Sequence, residues 1–346
     1  MKNRKDNVLF LLILWPFCKG EDAYMKKIFS FFILFILVNL AAIAQQEQLF
    51  SSYMLLKPVT NPAFTGSGTA INAVFVNRTM LAGIGEGKPV TSAFGVEAPV
   101  DILGSKSGLG IVIMSDALGF FDNVNVDLSY AYHHSLEGGR IGGGLTVGLN
   151  NYSIMPEYLL PDGDSWSQGD EYFPNQYSTL SVGLGLGVYY ETSQYYLGGA
   201  VANINQPNVV YAEDKSKPEV NVGYYPATYY LNGGYNIALP DPLFDLQPTF
   251  LLRTDLAMYM LDLNGTVYYN NKYWAGFGLR LSPGNLAATS LLAGLELVNG
   301  LKVGYALDVN FGGLMYGGAT SHEVMVTYSF SVDTKRDQKY KSVRYL

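Results

Sequence analysis

The segment YSTLSVGLGLGVYYE, residues 177–191, places a bulky residue at every second position. Its even positions from Leu180 to Val188 are all apolar, a period of two that is typical of a β-strand. The positions between them are small: Ser181, Gly183, Gly185 and Gly187. Glycine weakens an ordinary strand because it has no side chain to pack, and a water-soluble sheet would show polar residues on its second face. We therefore expect the apolar face to contact lipid and the small-residue face to line an interior that other parts of the chain enter.

The composition favours a membrane protein built from such strands. Charged residues make up 15% of the chain, against about 25% in typical soluble domains, while Gly (38) and Tyr (27) are abundant. After residue 44 no apolar run approaches the roughly 20 residues that a membrane helix needs. Short alternating segments rich in Gly and aromatic residues are typical of outer-membrane barrels. We predict an all-β fold, a transmembrane antiparallel β-barrel of the outer-membrane type.

Fourteen strands are predicted from the alternation. They lie near residues 69–79, 90–98, 107–116, 122–133, 138–152, 177–191, 194–205, 226–237, 246–255, 258–269, 273–282, 287–297, 301–310 and 322–330. The connections after strands one, five, seven and thirteen are long, and those after four, six, ten and twelve are tight. Two connections on the short side, around residues 99–106 and 238–247, are longer than expected. Because such barrels have short periplasmic turns and long extracellular loops, we expect both termini in the periplasm.

The N-terminal region indicates export. Met25 and two lysines lead into a long apolar run and then Ala42-Ile43-Ala44, which is the pattern of a signal peptide. We interpret residues 1–44 as an extension plus signal peptide, with the start at Met25 and cleavage after Ala44. The alternative is a longer charged region that contains VLFLLILWPF. Either way the single cysteine, Cys18, is removed.

The mature chain is then divided into three parts. Residues 45–68 are predicted to be an N-terminal periplasmic segment, residues 69–330 the barrel, and residues 331–346 a periplasmic tail. The formal net charge of −7 argues against a nucleic-acid partner.

The tail SVDTKRDQKYKSVRYL combines basic and aromatic residues. A solvated tail needs charge but has no need of apolar residues, so we expect it to dock on a periplasmic partner or on the rim of the barrel. The residues predicted to make this contact are Lys335, Arg336, Tyr340, Arg344, Tyr345 and Leu346. The alternative is a disordered, solvated tail.

Few residues offer catalytic chemistry. The chain has three histidines, His133, His134 and His322, and two of them neighbour a serine, as Ser135 and Ser321. Neither pair is followed by a third, orienting group at a recognisable spacing. We therefore predict no catalytic residues, no cofactor and no enzyme activity.

The acidic segment PDGDSWSQGDE contains Asp162, Asp164, Asp170 and Glu171, which are possible calcium ligands. Trp166 and Ser167 stand where that loop pattern needs an oxygen ligand and a glycine. We interpret the segment as a solvated extracellular loop without a metal, in which Trp166 supplies contact area for a partner.

Charged residues of both signs are predicted on the lumen face. They are Glu97, Asp127, Arg253, Asp255, Asp262, Arg280, Glu296, Lys302 and Asp308. Their expected role is to pair with each other and hold loops in place. Because the lumen face is lined by glycine and the chain has long loops, we expect a partly plugged lumen rather than a wide channel. The alternative is a selectivity ring for a solute.

Both ends of the mature chain resemble one family. The stretch QQEQLFSSYMLLKPVTNPAFTGSG, residues 45–68, resembles the opening of the PorP/SprF family of Bacteroidetes outer-membrane proteins, and SHEVMVTYSF, residues 321–330, resembles its last strand. The matching positions are Phe50, Ser51, Tyr53, Met54, Asn61, Pro62, Ala63, Phe64, Gly66, His322, Glu323 and Phe330. After the first strand the family often has Arg-Asn-Gln-Trp. Here only Arg78 matches, so any role of that Trp is in doubt.

The resemblance implies a non-enzymatic outer-membrane barrel of the type IX secretion and gliding system. Members of the family help particular cargo proteins to reach the cell surface or to stay on it. The expected partners are therefore a secreted cargo or adhesin protein, other components of the secretion system including periplasmic ones, and outer-membrane lipid. A passive or ligand-specific porin remains the alternative, because it would share the composition and the alternation.

Overall fold

The computed structural model describes residues 50–83, 87–102, 104–155, 177–211, 220–311 and 320–330. The chain divides into two compact units, residues 1–45 and 46–346, and every described residue belongs to the second. The predicted leader, the segment with Trp166 and the C-terminal tail lie outside the described residues. Within the described part of the chain, no helix is long and apolar enough to span a membrane.

Fourteen antiparallel strands close into a barrel, which confirms the predicted fold class. The strands are β1 (Ile71–Thr79), β2 (Val90–Ile102), β3 (Ser105–Leu118), β4 (Phe121–Leu136), β5 (Gly139–Ile154), β6 (Tyr177–Glu191), β7 (Tyr195–Ala202), β10 (Thr228–Tyr235) continued by β11 (Ile237–Ala238), β12 (Phe244–Thr254), β13 (Tyr259–Tyr269), β14 (Tyr273–Ser282), β15 (Asn285–Val298), β16 (Leu301–Asn310) and β17 (Thr320–Phe330). Strand β17 returns to β1, pairing Phe330 with Ile71. We count β10 and β11 as one interrupted strand because both pair with β12 in a single register.

A separate hairpin, β8 (Asn208–Tyr211) and β9 (Val220–Tyr224), lies between β7 and β10 in the sequence. The sequence predicts a long loop in this region, so the hairpin is an addition to the predicted fold.

The two ends of the barrel differ. Four long connections, residues 80–89, 155–176, 203–227 and 311–319, leave one end, which we call the loop end. Strand β1 begins and β17 finishes at the opposite end, the turn end. The predicted long connection around residues 99–106 is wrong, because β2 and β3 extend until only residues 103–104 join them. Around residues 238–247 the connection shortens to 239–243, since β12 begins at Phe244. The turn between β13 and β14 contains Asn270 and Asn271, both with positive φ, as a tight hairpin requires.

The outward faces of the strands are apolar and the inward faces are small or polar. On β6, Leu180 and Val188 are 65% and 62% exposed, while Gly183, Gly185 and Gly187 are buried. This agrees with the facing inferred from the sequence. The exposed apolar side chains form the surface that a bilayer covers.

Replacing Leu184 by arginine is expected to destabilise the barrel by about 2–4 kcal/mol if this residue lies near the middle of the bilayer. The side chain is 42% exposed on the outward face, so the arginine would have to be buried in lipid. The free energy of unfolding is measured by urea titration of the barrel in lipid vesicles. The matched control is Gly185→Ser, which adds a small group on the inner face and is expected to be mild. Equal tolerance of both changes would contradict the assigned facing.

Candidate functional site

A short segment of irregular helices, residues 50–66, precedes the barrel and is called the plug. It contains a 3-10 turn (Tyr53–Leu55), one α-helical turn, α1 (Lys57–Thr60), and a second 3-10 turn (Pro62–Phe64). A proline stands in the first turn of each of the last two elements, where its missing N–H costs nothing. Asn61 caps the last turn, since its Oδ1 accepts from the backbone N of Ala63 at 3.0 Å.

The plug lies inside the lumen of the barrel. Its polar atoms bond to inward groups on several strands, including Glu97 on β2, His133 on β4 and Asp308 on β16. The sequence predicts that residues 45–68 form a periplasmic segment. For the described part, residues 50–66, this is wrong, because the segment is buried against the inner wall. Asn61, Ala63 and Thr65 are completely inaccessible.

Six charged side chains form a continuous row on the inner wall, which we call the charge belt. In order they are Arg253, Asp262, Arg280, Asp308, Arg78 and Glu323, so the signs alternate and the total charge is zero. Arg253 and Arg280 both bind Asp262, at 2.8 and 2.6 Å. Arg78 binds Asp308 at 2.5 Å and Glu323 at 3.2 Å, and all three side chains are 0% exposed. The prediction that inward charges of both signs pair with each other therefore agrees with the structure.

Three other charges in that predicted group have different surroundings. Asp255 accepts from the backbone N of Ala257 and of Met258 in the turn after β12. Glu296 accepts from the backbone N of Gly300 in the turn after β15. These two residues cap turns at the ends of the barrel. Lys302 lines a cavity in the turn half of the lumen.

Ser51 attaches the start of the plug to the charge belt. Its Oγ donates to Asp308 Oδ2 at 2.7 Å and accepts from Arg78 Nη1 at 3.0 Å. The backbone N atoms of Ser51 and Ser52 donate to the two carboxylate oxygens of Glu323 at 2.8 and 2.9 Å. Glu323 therefore receives two backbone N–H groups in addition to Arg78. Charge-assisted hydrogen bonds of this kind are stronger than neutral ones.

Asn61 and Thr65 attach the other end of the plug to the opposite wall. Asn61 Nδ2 donates to the carbonyl oxygens of Val188 and Gly199, at 3.0 and 3.3 Å. His133 Nε2 lies 2.9 Å from the carbonyl oxygen of Thr65. Because a carbonyl only accepts, His133 carries its proton on Nε2, and Nδ1 accepts from the hydroxyl of Tyr189 at 3.1 Å. The plug is thus held at two points on opposite sides of the lumen.

Inward glycines leave the space that the plug occupies. A Cβ on Gly187 would lie 2.1 Å from Asn61 Oδ1, and a Cβ on Gly144 would lie 2.4 Å from the backbone N of Ala63. On Gly108 a Cβ would lie 1.9 Å from the carbonyl oxygen of Thr65. No side chain fits at these positions while the plug is present. The alternating small residues of β6 therefore serve, as inferred from the sequence, to admit another part of the chain, and that part is the N-terminal segment.

Aromatic contacts fill the lumen beside Asn61 and Thr65. Phe64 stacks on Tyr189 with ring centroids 4.4 Å apart and meets Tyr196 edge-on at 5.6 Å. Lys57 Nζ lies 3.8 Å from the centroid of Tyr196, a cation–π contact. Burial lowers the pKa of the Lys57 ammonium, and in Tyr53 burial raises the pKa of the phenol. Burial inside the barrel therefore favours the uncharged form of both side chains.

The structure brings most of the family motif together. Phe50, Tyr53, Asn61, Pro62, Ala63 and Gly66 belong to the buried plug, and Arg78 and Glu323 hold it. Met54 is half-buried. His322 is the exception, because it faces outward and its Nδ1 bonds to the hydroxyl of Tyr305 at 2.5 Å. Trp166 and the predicted contact residues of the tail lie outside the described residues.

The two Ser–His pairs do not form catalytic dyads. Ser321 is buried on the lumen face and accepts from Asn310 Nδ2 at 3.0 Å, while His322 lies on the other face of the same strand. Ser135 and His134 are likewise adjacent on β4 and face opposite sides. Among the described residues, no cluster of three metal-ligating side chains occurs, and the acidic segment 162–171 lies outside them.

The plug lies between two cavities. One, of about 120 Å³, is lined by wall residues in the loop half of the strands, such as Asn125, Asn150 and Arg253. The other, of about 210 Å³, is lined by residues of the turn half, such as Asn72 and Lys302. Leu56, Pro58 and Val59 of the plug border both.

Sequence reasoning missed Ser51 as an anchor, and it missed His133 and Tyr189 as lumen contacts of the plug. Ser51 is part of the motif that carries the resemblance, so the motif was a signal for its importance although not for its partner. His133 and Tyr189 sit at inward positions of strands whose outward positions are apolar. That alternation could have placed them in the lumen.

The chain matches one family model and is similar to several solved barrels. The family model described as type IX secretion system membrane protein PorP/SprF matches residues 42–328. The chain is similar in fold to the CymD monoaromatic hydrocarbon channel, with a TM-score of 0.51 and 12% identity over 84% of this chain and 95% of that one. The toluene transporter TodX of P. putida has a TM-score of 0.46 and 10% identity over 79% of this chain and 93% of that one. A mutant of Rh. blastica porin has a TM-score of 0.34 and 9% identity over 75% and 99%. No curated protein sequence matches the chain.

Proposed function

Because the chain belongs to the PorP/SprF family of type IX secretion system membrane proteins, we propose that it is a non-enzymatic barrel of the outer membrane that helps specific cargo proteins to be secreted or attached to the cell surface. In this role the barrel is a docking component of the secretion system. Its long connections at the loop end face the outside, and its turn end faces the periplasm. This orientation follows the general pattern of short periplasmic turns in such barrels.

The observation that carries the proposal is the buried plug. A polypeptide cannot pass through a lumen that is crossed by residues 50–66, fixed to the wall by the charge belt at Ser51 and by Asn61 on the other side. Both anchors use groups that are almost completely buried, which favours a fixed plug over a mobile one. The barrel therefore contributes surfaces to secretion, and the cargo takes another path across the membrane.

Two surfaces are proposed to contact partners. The segment around Trp166 at the loop end is proposed to contact cargo, since Trp and Tyr supply large contact areas at modest entropic cost. The basic-aromatic tail, residues 335–346, is proposed to contact a periplasmic component of the secretion system. Lys335, Arg336 and Arg344 would pair with acidic groups there, while Tyr340, Tyr345 and Leu346 would pack against apolar ones.

Deleting the protein is expected to abolish surface display of its cargo while other outer-membrane proteins stay at normal levels. Display is measured by antibody labelling of intact cells, with the cargo taken from the genes next to this one. Complementation with the full chain should restore display. A chain truncated after Thr334 should insert in the membrane but fail to restore display or to co-purify periplasmic components.

Two results would contradict the proposal. If deletion leaves the display of every exported protein unchanged, the secretion role is wrong. If the truncated chain restores display and partner recovery fully, the barrel keeps its role and the tail has none.

A further inference from the structure

The cavity in the loop half of the lumen, which we call the loop-half cavity, has two chemically different sides. One side is the inner wall formed by β4, β5, β6 and β7, and the other side is the plug with parts of β3 and β12. The cavity volume is about 120 Å³. No step of the proposed docking at the outer loops uses this cavity.

The wall side is polar and carries amides. Asn125 and Asn150 face each other across β4 and β5. Beyond the pair of Asp127 and Gly148 on the same two strands, the hydroxyls of Ser129 and Thr146 bond at 2.8 Å. Asn125 Oδ1 is buried and has no hydrogen-bond partner within the described part of the chain. A buried carbonyl oxygen without a donor is unfavourable, so this atom would gain from a ligand that offers an N–H or O–H group.

The plug side is apolar and mostly aliphatic. It is lined by Leu56, Pro58 and Val59 of the plug and by Met114 and Leu251 of the wall, and Phe50 and Tyr53 of the plug add aromatic rings. The aliphatic groups can pack against an aliphatic side chain. The loop-half cavity therefore favours a ligand with one aliphatic side and one side that both donates and accepts hydrogen bonds.

The two charged residues that line the cavity are already engaged. Arg253 binds Asp262 at 2.8 Å, and Asp127, which lies between Asn125 and Ser129 on β4, also interacts with another group. Arg253 is the only cation among the described residues that line the cavity, so neither the carboxylate of a fatty acid nor a phosphate finds an unpaired cation there. A peptide backbone meets the requirement because each unit carries one donor and one acceptor.

We propose that the loop-half cavity binds a short, uncharged peptide segment of an exported protein. Backbone groups of the segment bond to Asn125 and Asn150, and one aliphatic side chain packs against the plug. This inference rests on the proposed function and names the chemistry by which the barrel recognises its cargo. It also gives the plug a second role, as the floor of a binding site.

The test is photo-crosslinking in cells that export cargo, with the full chain in its membrane. The photoreactive residue p-benzoylphenylalanine replaces Thr146, which lines the loop-half cavity. The matched control carries it at Val147, which is 46% exposed on the outward face. We expect the probe at residue 146 to form an adduct with an exported polypeptide, and mass spectrometry should map it to an uncharged segment with an aliphatic residue. The probe at residue 147 should yield only lipid adducts.

A change in the cavity should then reduce capture. With the probe at residue 146, Asn125→Leu is expected to lower the adduct yield at least tenfold at equal amounts of assembled barrel. Asn150→Leu serves as the second variant if Asn125→Leu assembles poorly. Adducts with glycan or lipid at residue 146, or no adduct while cargo is being exported, would overturn the proposal.

A third probe separates this proposal from the proposed function. Leu256 is 70% exposed in a turn at the loop end. If a probe there captures cargo and the probe at residue 146 does not, the cavity proposal fails and the docking role stands. If neither probe captures cargo and deletion of the protein leaves cargo display unchanged, the proposed function fails with it.

Discussion

Replacing Arg78 by methionine is expected to destabilise the folded barrel by about 3–5 kcal/mol, because one partner of a buried ion pair is removed and the other is left unpaired. Arg78 binds both Asp308 and Glu323, and all three side chains are 0% exposed. In the variant, Glu323 loses its ion-pair partner, and Asp308 keeps Arg280 at 3.5 Å. It also removes a donor to Ser51, so the start of the plug should loosen together with the wall.

The measurement is urea unfolding in detergent micelles, followed by the fluorescence of Trp274. This residue is buried in the same cluster as Phe50 and so reports on the plug. The protein used for the measurement starts at residue 45 and carries Trp166→Phe, so the other two tryptophans of the sequence, Trp15 and Trp166, do not contribute. The control is Arg140→Met, whose partner Glu191 and own side chain are each 26% exposed. Exposed pairs contribute about 1 kcal/mol or less. Equal losses in the two variants would show that burial of the belt is not what matters.

Replacing Gly144 by valine is expected to displace the plug and open the lumen to ions. A Cβ at this position would lie 2.4 Å from the backbone N and 2.6 Å from the Cα of Ala63. Backbone atoms cannot rotate away as the end of a long side chain can, so either the wall or the plug must move. Overpacking of this kind costs about 1–3 kcal/mol. Conductance in a planar bilayer measures the result, with rare openings expected for the natural chain and sustained openings for the variant.

The adjacent residue supplies the control. Gly143 lies next to Gly144 on β5 but faces outward, and a Cβ there would meet no atom within 4 Å. Gly143→Val should therefore assemble normally and conduct no more than the natural chain. Should Gly144→Val remain as poorly conducting as Gly143→Val while forming a heat-modifiable barrel, the plug does not block the lumen. High conductance of the unmodified chain would instead support the alternative of a passive porin.

The strands were predictable because their signal is local. Alternation along β6, β14 and β16 gave the same bounds as the structure, since each outward position must be apolar to contact lipid. The prediction ended β2 too early, at Ala98, because Pro99 and Asp101 are typical turn residues. In the structure the pairing continues through Pro99 and Gly108. The hairpin β8–β9 was missed because its four- and five-residue strands give too short a pattern.

The plug was not predictable from its own sequence. Residues 50–66 show neither a period of two nor one of 3.6, because their environment is the lumen wall on several sides rather than one face of a sheet or helix. The information lay elsewhere, in inward charges of both signs and in rows of glycine. The resemblance at the two ends of the chain has a physical explanation as well. Ser51 and Ser52 from the first motif bind Glu323 from the last, so the two motifs are two halves of one contact.

That contact has a consequence for the order of assembly. Ser51 and Glu323 are 272 residues apart in sequence, and four of the six belt residues come from β13, β14, β16 and β17. The N-terminal segment is the first described part of the chain to emerge, yet its binding site is complete only when the last strands have been made. Contacts of such sequence separation form slowly. Ring closure and docking of the N-terminal segment are thus coupled, because the segment makes its full set of contacts only in a barrel whose last strands are in place.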